Sequence, residues 1–458
     1  MIPARFASGA YDRSAVGLPP ARLINLYVEE TPDGPGPDVR LPRPGLVESY
    51  EYGSGPVRGL TMFGGVLFIL SGTTLYRAGV SAGTIGGTGK VRFAQSDTQL
   101  VIVTAGSAYL YEGSTLSLID DTDLPAVIDV AFLAGRFIYA GQASGRFYWS
   151  AVSDAASIDG LAFATAEGSA DNIVALAVMG GQLVIFGGDT VEFWDVTGDA
   201  DLPFQRSGAA AYPRGCAAQF SVVTTDNSVF WVGDDRIIYR GRNVPDRVSN
   251  HGVEAALKRC TSISAVTAFE VRSEGHAFYV VNIPGVTTFA LDLAAPTPPG
   301  WAEWSSYGKT TFRCECAILS AGSVLAGDNT TGQVFTFTLG VYADDGAAIT
   351  YLASVWVAHA DRPARFNNLV LQGARGVGLT TGQGSDPVTE MRYSDDQGNT
   401  WSDWRSASLG AIGEYSRRAV WQQLGLIREP GRLIEIRTTD PVLATMAGVL
   451  INQARPHG

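Results

Sequence analysis

The stretch Ile173–Val196, IVALAVMGGQLVIFGGDTVEFWDV, decides the fold of this 458-residue chain. Its three short apolar runs, residues 173–179, 182–186 and 190–196, are separated by glycine-containing turns. Runs of this length that are rich in Val, Ile and Phe predict antiparallel strands joined by tight turns. The glycines and Gln182 argue against a membrane-spanning helix, which needs about 18 uninterrupted apolar residues. The stretch therefore predicts a strand meander and no membrane insertion.

Similar stretches recur along most of the chain. They start at Val57, Val91, Val127, Ile173, Cys216, Ile263 and Thr311, which are 34 to 48 residues apart. Each has two strands and a glycine-containing turn before an aromatic-rich strand. A period of this length with several strands per repeat is typical of a β-propeller, in which each blade buries one face on the next. Seven blades fit the repeats best, and six remain an alternative.

The repeats end after Leu339, and a new strand pattern follows. We therefore expect an all-β chain with three parts: an extended N-terminal arm (1–50), a β-propeller (51–342) and a C-terminal β-sandwich (343–458). The sandwich strands are predicted at residues 349–358, 366–372, 389–394, 419–426 and 433–438. One short helix is predicted at His251–Arg259, with Asn250 as its N-cap.

The N-terminal arm differs in composition from the rest of the chain. Five prolines lie between Pro32 and Pro44, and proline disfavours both helix and central strand. The arm is either a solvated tail or a tether that binds a neighbouring subunit. The tether hypothesis places the interface at Arg22, Leu23, Ile24, Asn25, Leu26 and Tyr27.

The composition restricts the function. A formal net charge of −12 makes the chain a poor candidate for binding nucleic acid through phosphates, although DNA could slide past such a surface. The chain lacks GxSxG, HExxH and P-loop motifs, and its four histidines are scattered. We expect no enzyme activity, cofactor or metal site. Acidic turns leave calcium as an alternative to ordinary solvated turns.

The cysteines and the N-terminus indicate where the protein is made. Met1–Ala10 has no basic region followed by an apolar core, so we expect no signal peptide. Cys216, Cys260, Cys314 and Cys316 are expected to be reduced structural thiols, as in a protein that is made in a cytoplasm. Because Cys314 and Cys316 are two residues apart in a predicted strand, both thiols should lie on one face.

A local motif stands out in the C-terminal segment. Residues 394–401, SDDQGNTW, fit the Asp-box pattern of sialidases and other propeller glycosidases. The pattern predicts a hairpin in which Asp396 bonds its own turn, Gly398 supplies a positive φ, and Trp401 folds back as an apolar plug. The structural turn comprises Ser394, Asp396, Gly398, Thr400 and Trp401. In the families that carry it the box is structural, so it does not by itself indicate a glycosidase.

Three segments carry a family resemblance: RLINLYVEE (Arg22–Glu30) leading to LPRPGL (Leu41–Leu46), the repeat at Gly187–Asp235, and Met391–Gly425. With these segments the chain resembles the tail hub (nozzle) proteins of short-tailed bacteriophages, the packaged-DNA stabilisation proteins. The resemblance implies a homo-oligomeric ring, with six subunits expected, in the virion tail below the portal and adaptor proteins. Such a ring retains DNA, lets it pass during ejection without specific binding, and carries fibres, spikes or a needle. Assembly would take place in the bacterial cytoplasm.

If DNA passes through such a ring, acidic turns should line the channel and repel phosphates. The candidates are Asp120, Asp121, Asp123, Asp199, Asp201, Asp234 and Asp235. Two other classes of protein remain open. A glycan-binding or glycan-degrading propeller would need clustered acidic and arginine side chains at one mouth of the propeller. A bacterial surface propeller would need an export signal.

Overall fold

A computed structural model of the chain describes residues 2–13, 18–30, 38–104, 106–166, 170–208, 211–241, 244–295, 300–358 and 364–454. The prolines at positions 32, 35 and 37 and the residues 296–299 lie outside this description. Within it the regular secondary structure is almost wholly strand, as the repeats predict. No helix in the described ranges is long and apolar enough to cross a membrane.

The first half of the chain begins with five strands and continues with four-stranded repeats. The N-terminal strands are β1 Ile2–Ala4, β2 Leu23–Ile24, β3 Leu26–Glu30, β4 Asp38–Pro42 and β5 Gly45–Glu51. The next four repeats comprise β6 Val57–Phe63, β7 Val66–Ser71, β8 Thr74–Arg77, β9 Val80–Thr84; β10 Arg92–Gln95, β11 Gln99–Thr104, β12 Ser107–Glu112, β13 Thr115–Leu118; β14 Val127–Leu133, β15 Arg136–Gly141, β16 Arg146–Ala151, β17 Asp154–Thr165; and β18 Ile173–Met179, β19 Gln182–Gly187, β20 Val191–Val196, β21 Phe204–Arg206.

The second half completes the repeats and then supplies most strands of a second domain. Its repeats comprise β22 Val223–Thr225, β23 Ser228–Val232, β24 Ile238–Gly241, β25 Pro245–Arg247; the helix α1 His251–Arg259; β26 Thr267–Ser273, β27 His276–Ile283, β28 Thr287–Asp292, β29 Gly300–Trp304; and β30 Cys314–Ser320, β31 Ser323–Asp328, β32 Gln333–Thr338. The last strands are β33 Ala343–Asp344, β34 Ala347–Ala348, β35 Tyr351–Ala358, β36 Ala364–Gly373, β37 Val388–Ser394, β38 Arg405–Ser408, β39 Val420–Ile427, β40 Gly431–Thr438 and β41 Met446–Ala454. Short 3₁₀ turns lie at Gln219–Ser221 and Ile263–Ala265.

The repeats form a propeller of seven four-stranded antiparallel units in the described residues. Units one to six are β6–β9, β10–β13, β14–β17, β18–β21, β22–β25 and β26–β29. The seventh unit has β30, β31 and β32 from the repeat and β5 from the N-terminal segment as its fourth strand, and its sheet continues through the short strands β33 and β34. The first strands of successive units contact one another, and β30 of unit seven contacts β6 of unit one. The ring is therefore closed by pairing the two ends of the propeller sequence within one sheet.

Each unit is stabilised by the apolar layer that it shares with the next. Between units three and four, for example, Phe147, Trp149, Leu183 and Trp194 belong to one buried cluster. The alternation of side chains along each strand supplies one layer to each neighbour. Glycines make the hairpins: Gly180 and Gly181 both have positive φ between β18 and β19.

Helix α1 and its cap are confirmed as predicted. The Asn250 side chain accepts hydrogen bonds from the backbone N–H of Gly252 and Val253, and Lys258 and Arg259 occupy the last turn. Val253 and Leu257 are fully buried between units five and six. The helix thus fills the connection between these two units.

The C-terminal domain is a β-sandwich, in agreement with the sequence. One sheet has the order β3-β4-β41-β36-β39, with β1 also paired to β41. The facing sheet, β35-β40-β37-β38, continues through β2 into unit six, because Ile24 pairs with Glu303 of β29 on one side and with Leu352 of β35 on the other. The two domains therefore share a continuous sheet.

The N-terminal segment differs from the expected separate arm at 1–50. Strands β1 to β4 are part of the sandwich or join it to the propeller, and β5 is part of unit seven. The physical reason is that backbone donors and apolar side chains in this segment find partners on their own chain.

The two cysteines of the Cys-x-Cys sequence lie in different buried clusters, contrary to the expectation of one shared face. The register of β30 against β31 shifts between Cys314 and Cys316, as in a β-bulge. Cys314 consequently packs in the cluster that includes unit six, and Cys316 against that of unit one. An extra residue in one strand reverses the side of every side chain that follows it.

Candidate interaction surfaces

The six residues predicted as an intersubunit interface lie at the junction of the two domains. Leu23, Asn25 and Leu26 are at most 1% exposed, and Ile24 and Tyr27 are also buried. Tyr27 contacts the rings of His276 and Phe278 in unit six. This placement corrects the tether hypothesis, because side chains buried within their own chain cannot anchor a neighbouring subunit.

Polar residues of the N-terminal segment are bonded to both domains. Arg22 donates two hydrogen bonds to Glu303 of β29, and its backbone N–H donates to Ser354 of β35. Asn25 adopts a positive φ of 54° between β2 and β3. Its amide nitrogen donates to the Thr350 carbonyl at 2.9 Å. Each of these residues connects the propeller to the sandwich.

A fully buried ion pair lies at the centre of this junction. Arg43 donates to both carboxylate oxygens of Asp344, at 3.0 and 2.8 Å, and neither residue is more than 1% exposed. Arg43 also donates to the Asn25 side chain and to the Ser305 carbonyl. Its guanidinium lies 4.8 Å from the centre of the Phe312 ring. We name Asn25, Arg43, Ser305 and Asp344 the junction cluster.

A groove of about 750 Å³ opens beside this junction. The sandwich contributes Trp401 and Trp404, which alternate with two arginines in a stack: Arg392 lies 4.1 Å from the Trp401 ring and 4.6 Å from the Trp404 ring, and Arg437 lies 3.9 Å from Trp404. Both arginines form ion pairs with carboxylates on the neighbouring strand of the same sheet, Arg392 with Glu435 and Arg437 with Glu390. The groove thus combines half-buried aromatic rings with fixed charges.

The opposite wall of the groove comes from the propeller. It includes Phe289 and Glu303 of unit six, Arg259 at the end of α1, and Lys309 after β29. Arg259 and Lys309 are exposed. Within the described ranges neither of these two cations has a carboxylate at ion-pair distance.

The Asp-box turn adopts the predicted geometry except at Trp401. Asp396 accepts hydrogen bonds from the Thr400 backbone N–H (2.8 Å), the Thr400 hydroxyl (2.6 Å) and the Ser394 hydroxyl (2.7 Å). These bonds, with those from Thr400 foremost, lower the pKa of Asp396 to about 2. Gly398 has a φ of +96°. Trp401, however, is a half-buried wall of the groove under Arg392 and does not form an apolar plug.

The seven predicted channel aspartates are divided between two ends of the propeller. One end of the propeller carries the loops that join one unit to the next and the loops between the second and third strands of each unit; we call it the crossover end. The loops between the first and second strands and between the third and fourth strands lie at the opposite end, which we call the hairpin end. Topology places Asp120, Asp121, Asp123, Asp234 and Asp235 at the crossover end, and Asp199 and Asp201 at the hairpin end. The seven therefore do not lie at a single end of the propeller.

Several of these aspartates have local structural roles. Asp121 accepts the backbone N–H of Asp123 and of Ile158. Asp199 accepts the N–H of Asp201 and Leu202, which lowers its pKa. Asp234 accepts from Gly215, and Asp235 from Ile237 and the Tyr239 hydroxyl. Asp120 and Asp123, in contrast, are exposed with no side-chain hydrogen bond or ion pair in the described part of the chain.

The central axis of the propeller is closed by side chains. A cavity of about 520 Å³ is lined by the first strands of the units. Arg92 of unit two donates across it to the Gln219 and Val222 carbonyls before unit five, and its Nε lies 3.8 Å from Asp129 of unit three. Burial raises the pKa of Asp129 despite this guanidinium. DNA cannot pass through a propeller that is crossed in this way.

The remaining reactive groups are dispersed. Cys216, Cys260 and Cys314 are buried free thiols, and burial raises the pKa of Cys216 to about 12. No group of three or more potential metal ligands occurs in the ranges that the structure describes.

Sequence reasoning missed Arg43, Asp344, Arg92 and Trp404. Arg43 lies in the LPRPGL segment that carries the family resemblance. The sequence therefore pointed to this segment, but it did not show that Arg43 forms a buried ion pair. Trp404 follows Trp401 at a distance of three residues and faces arginines on two other strands, a pattern that requires the strand register. Nothing local marks Asp344 or Arg92.

The comparison with known proteins covers both domains. Residues 4–341 match the family described as "Bacteriophage P22 Gp10, beta-propeller" and residues 352–453 the family described as "Bacteriophage P22 Gp10, beta-sandwich". The chain is 19% identical over 438 residues to the tail hub protein gp10 of Salmonella phage P22, covering 89% of this chain and 90% of that protein.

Solved structures show weaker similarity. The Pan2 WD40 domain of Neurospora crassa has a TM-score of 0.39 at 12% identity and covers 65% of this chain and 95% of that one. The Raptor structure of Chaetomium thermophilum has a TM-score of 0.42 at 10% identity and covers 65% of this chain and 29% of that one. By its match over both the propeller and the sandwich, the chain belongs to the bacteriophage P22 Gp10 family.

Proposed function

We propose that this chain is the structural tail hub of a phage virion. Copies of it form a ring, with six as the expected number, that attaches below the portal–adaptor complex. The ring closes the channel to retain packaged DNA and carries fibres, spikes or a needle. The family match over both domains, and the name of the P22 relative, support the hub role.

The observation that carries this proposal is the way the N-terminal segment joins both domains. A hub that retains DNA under pressure must transmit force without its domains separating. Here β2 lies in one sheet with both domains, β5 closes the propeller, and the junction cluster is buried between them. A buried charge that loses its partner is strongly destabilising, so such a junction resists partial opening.

The DNA path in this proposal lies between subunits. Arg92 and its partners close the axis of each propeller, which leaves the lumen of the ring as the channel. Acidic side chains on the lumen would repel phosphates, and DNA would be retained by steric closure. Asp199, Asp201, Asp234 and Asp235 on units four and five are the retained candidates for this wall. The aspartates between units two and three lie elsewhere on the circumference.

A structural role also suits the Asp box, because both carboxylate oxygens of Asp396 are used by the turn itself. A glycan-degrading function would require that carboxylate, or another, to be free for chemistry. Incubating the purified chain with bacterial surface glycans and measuring released sugars tests this alternative directly.

The proposal is tested in cells infected by a phage from which this chain has been deleted, with the chain supplied from a plasmid. Wild-type chain should restore particles that protect their DNA from nuclease, whereas Arg43→Ala should restore few. Arg272→Ala, which removes an exposed ion pair with Glu270, is the matched control and should act as wild type. If particles that lack the chain retain their DNA and infect normally, the proposal is wrong.

A further inference from the structure

A second surface of the propeller carries the charge opposite to that of the groove. At the crossover end between units two and three, Asp120 and Asp123 are exposed, and Asp159 of the outer strand β17 is exposed beside them. Asp123 is adjacent to this strand, because a Cβ added at Gly160 would lie 3.0 Å from the Asp123 Oδ1. We name Asp120, Asp123, Asp159 and Leu161 the acidic rim.

The acidic rim also presents apolar surface to solvent. Leu161 is 85% exposed, and Leu118 at the end of β13 is 52% exposed. Single exposed leucines are ordinary, but two leucines flanking three carboxylates resemble the mixed composition of a protein interface. Strand β17 is also unpaired along its outer edge among the described residues, and edges of this kind are usually covered.

The groove is complementary to the rim in charge and in character. Its two exposed cations, Arg259 and Lys309, have no carboxylate partner in the described ranges, although the chain as a whole is strongly acidic. Trp401 and Trp404 offer half-buried aromatic surface for an apolar side chain. Complementary charges at an interface favour the correct partner and suppress wrong ones.

The positions of the two surfaces fit a head-to-tail contact. In a ring of seven units, the boundary of units two and three lies three and a half units from unit six, on the far side of the propeller. The groove opens at the crossover end beside unit six, whereas Asp159 and Leu161 place the rim on β17, the outermost strand of unit three. An interface between two different patches of identical chains generates a closed ring when its rotation closes.

We propose that the acidic rim of one copy docks into the groove of the next copy, and that this contact builds the ring. The inference rests on the proposed hub function, since it supplies the contact that the ring needs. Leu161 would lie against the tryptophan wall, with Asp120 and Asp123 facing Arg259 and Lys309. Two of the predicted channel aspartates, Asp120 and Asp123, thereby receive a role between subunits.

Crosslinking on assembled particles tests the contact. Chains with Asp123→Cys and Lys309→Cys, supplied to the deletion phage, are treated with a short bismaleimide. Because Cys216, Cys260 and Cys314 are buried and Cys316 is half-buried, the introduced thiols should react preferentially. We expect a ladder of multimers on denaturing gels. Asp199→Cys with Lys309→Cys, which places one thiol at the hairpin end of unit four, should give no ladder.

Charge exchange gives an independent readout. Arg259→Glu with Lys309→Glu, and separately Asp120→Lys with Asp123→Lys, should each lower incorporation into particles at least about tenfold. The four changes together should restore most of it, because the charges are again complementary.

The outcomes separate this inference from the hub proposal. Incorporated cysteine chains that give no ladder, or charge sets that fail to rescue each other, overturn the docking contact while the hub role stands. Absence of the wild-type chain from particles that are complete and infectious overturns the hub role itself.

Discussion

Arg43 and Asp344 show how much one residue pair contributes to this protein. Arg43→Ala leaves Asp344 buried without a counter-charge, and we expect a loss of about 3–5 kcal/mol in stability. Arg43→Met with Asp344→Leu should recover much of that loss, because no charge is left buried. Urea unfolding followed by tryptophan fluorescence measures both. An Arg43→Ala loss no larger than that of the exposed control Arg272→Ala, about 1 kcal/mol or less, would contradict this account.

His276 should make stability depend on pH. Its Nδ1 lies 2.8 Å from Asp292, and this hydrogen bond raises the pKa of His276. Because the pKa of His276 is higher in the folded protein than in the unfolded chain, protonation of His276 stabilises the fold. This stabilisation is fully present below the unfolded-state pKa of about 6.5 and is lost as the pH rises through the folded-state pKa. The melting temperature of the wild type minus that of His276→Gln should therefore be larger at pH 5.5, roughly one unit below the unfolded pKa, than at pH 9. A difference independent of pH would exclude a protonated His276 as the cause.

At the scale of elements, β5 determines whether the propeller is closed. Gly45 begins this strand where the chain passes against residues 341–343, and a Cβ there would lie 2.3 Å from the Ala343 carbonyl oxygen. Gly45→Ala must push β5 and residues 341–343 apart, and overpacking of this kind costs about 1–3 kcal/mol. We expect a lower melting temperature and faster proteolysis near residue 45. Gly208→Ala, where a Cβ meets nothing within 4 Å, is the matched control; equal behaviour of the two variants would contradict the role of β5.

At the scale of the whole molecule, the net charge predicts how the protein treats DNA. The purified chain, with a net charge of −12, should bind duplex DNA weakly and without sequence preference at physiological salt. Changing Asp199, Asp201, Asp234 and Asp235 to Asn should increase binding at low salt, if these residues face the lumen in assembled rings. Fluorescence anisotropy across a salt series measures this. Tight, salt-sensitive binding by the wild type would contradict a repulsive channel.

The sequence by itself determined the class of fold and the local elements. Residues 173–196 form three strands within about one residue of the predicted bounds, and α1 has its predicted limits and cap. The sandwich strands also lie close to their predicted positions. These features follow from hydrophobic period, glycine turns and capping, which depend on residues a few positions apart. The fold family could likewise be inferred from segments of the sequence.

Only the tertiary structure decided how distant segments meet. It joins β5 to unit seven and places Arg92 across the propeller axis. It also pairs Arg43 with Asp344, although the two residues are 301 positions apart in the sequence. It also places Cys314 and Cys316 in different clusters through a bulge, and assembles the groove from unit six, α1 and the sandwich. The physical reason is that local pattern reports which face of an element is buried but not which element covers it. That choice depends on the register and closure of the whole ring, which no single stretch of sequence contains.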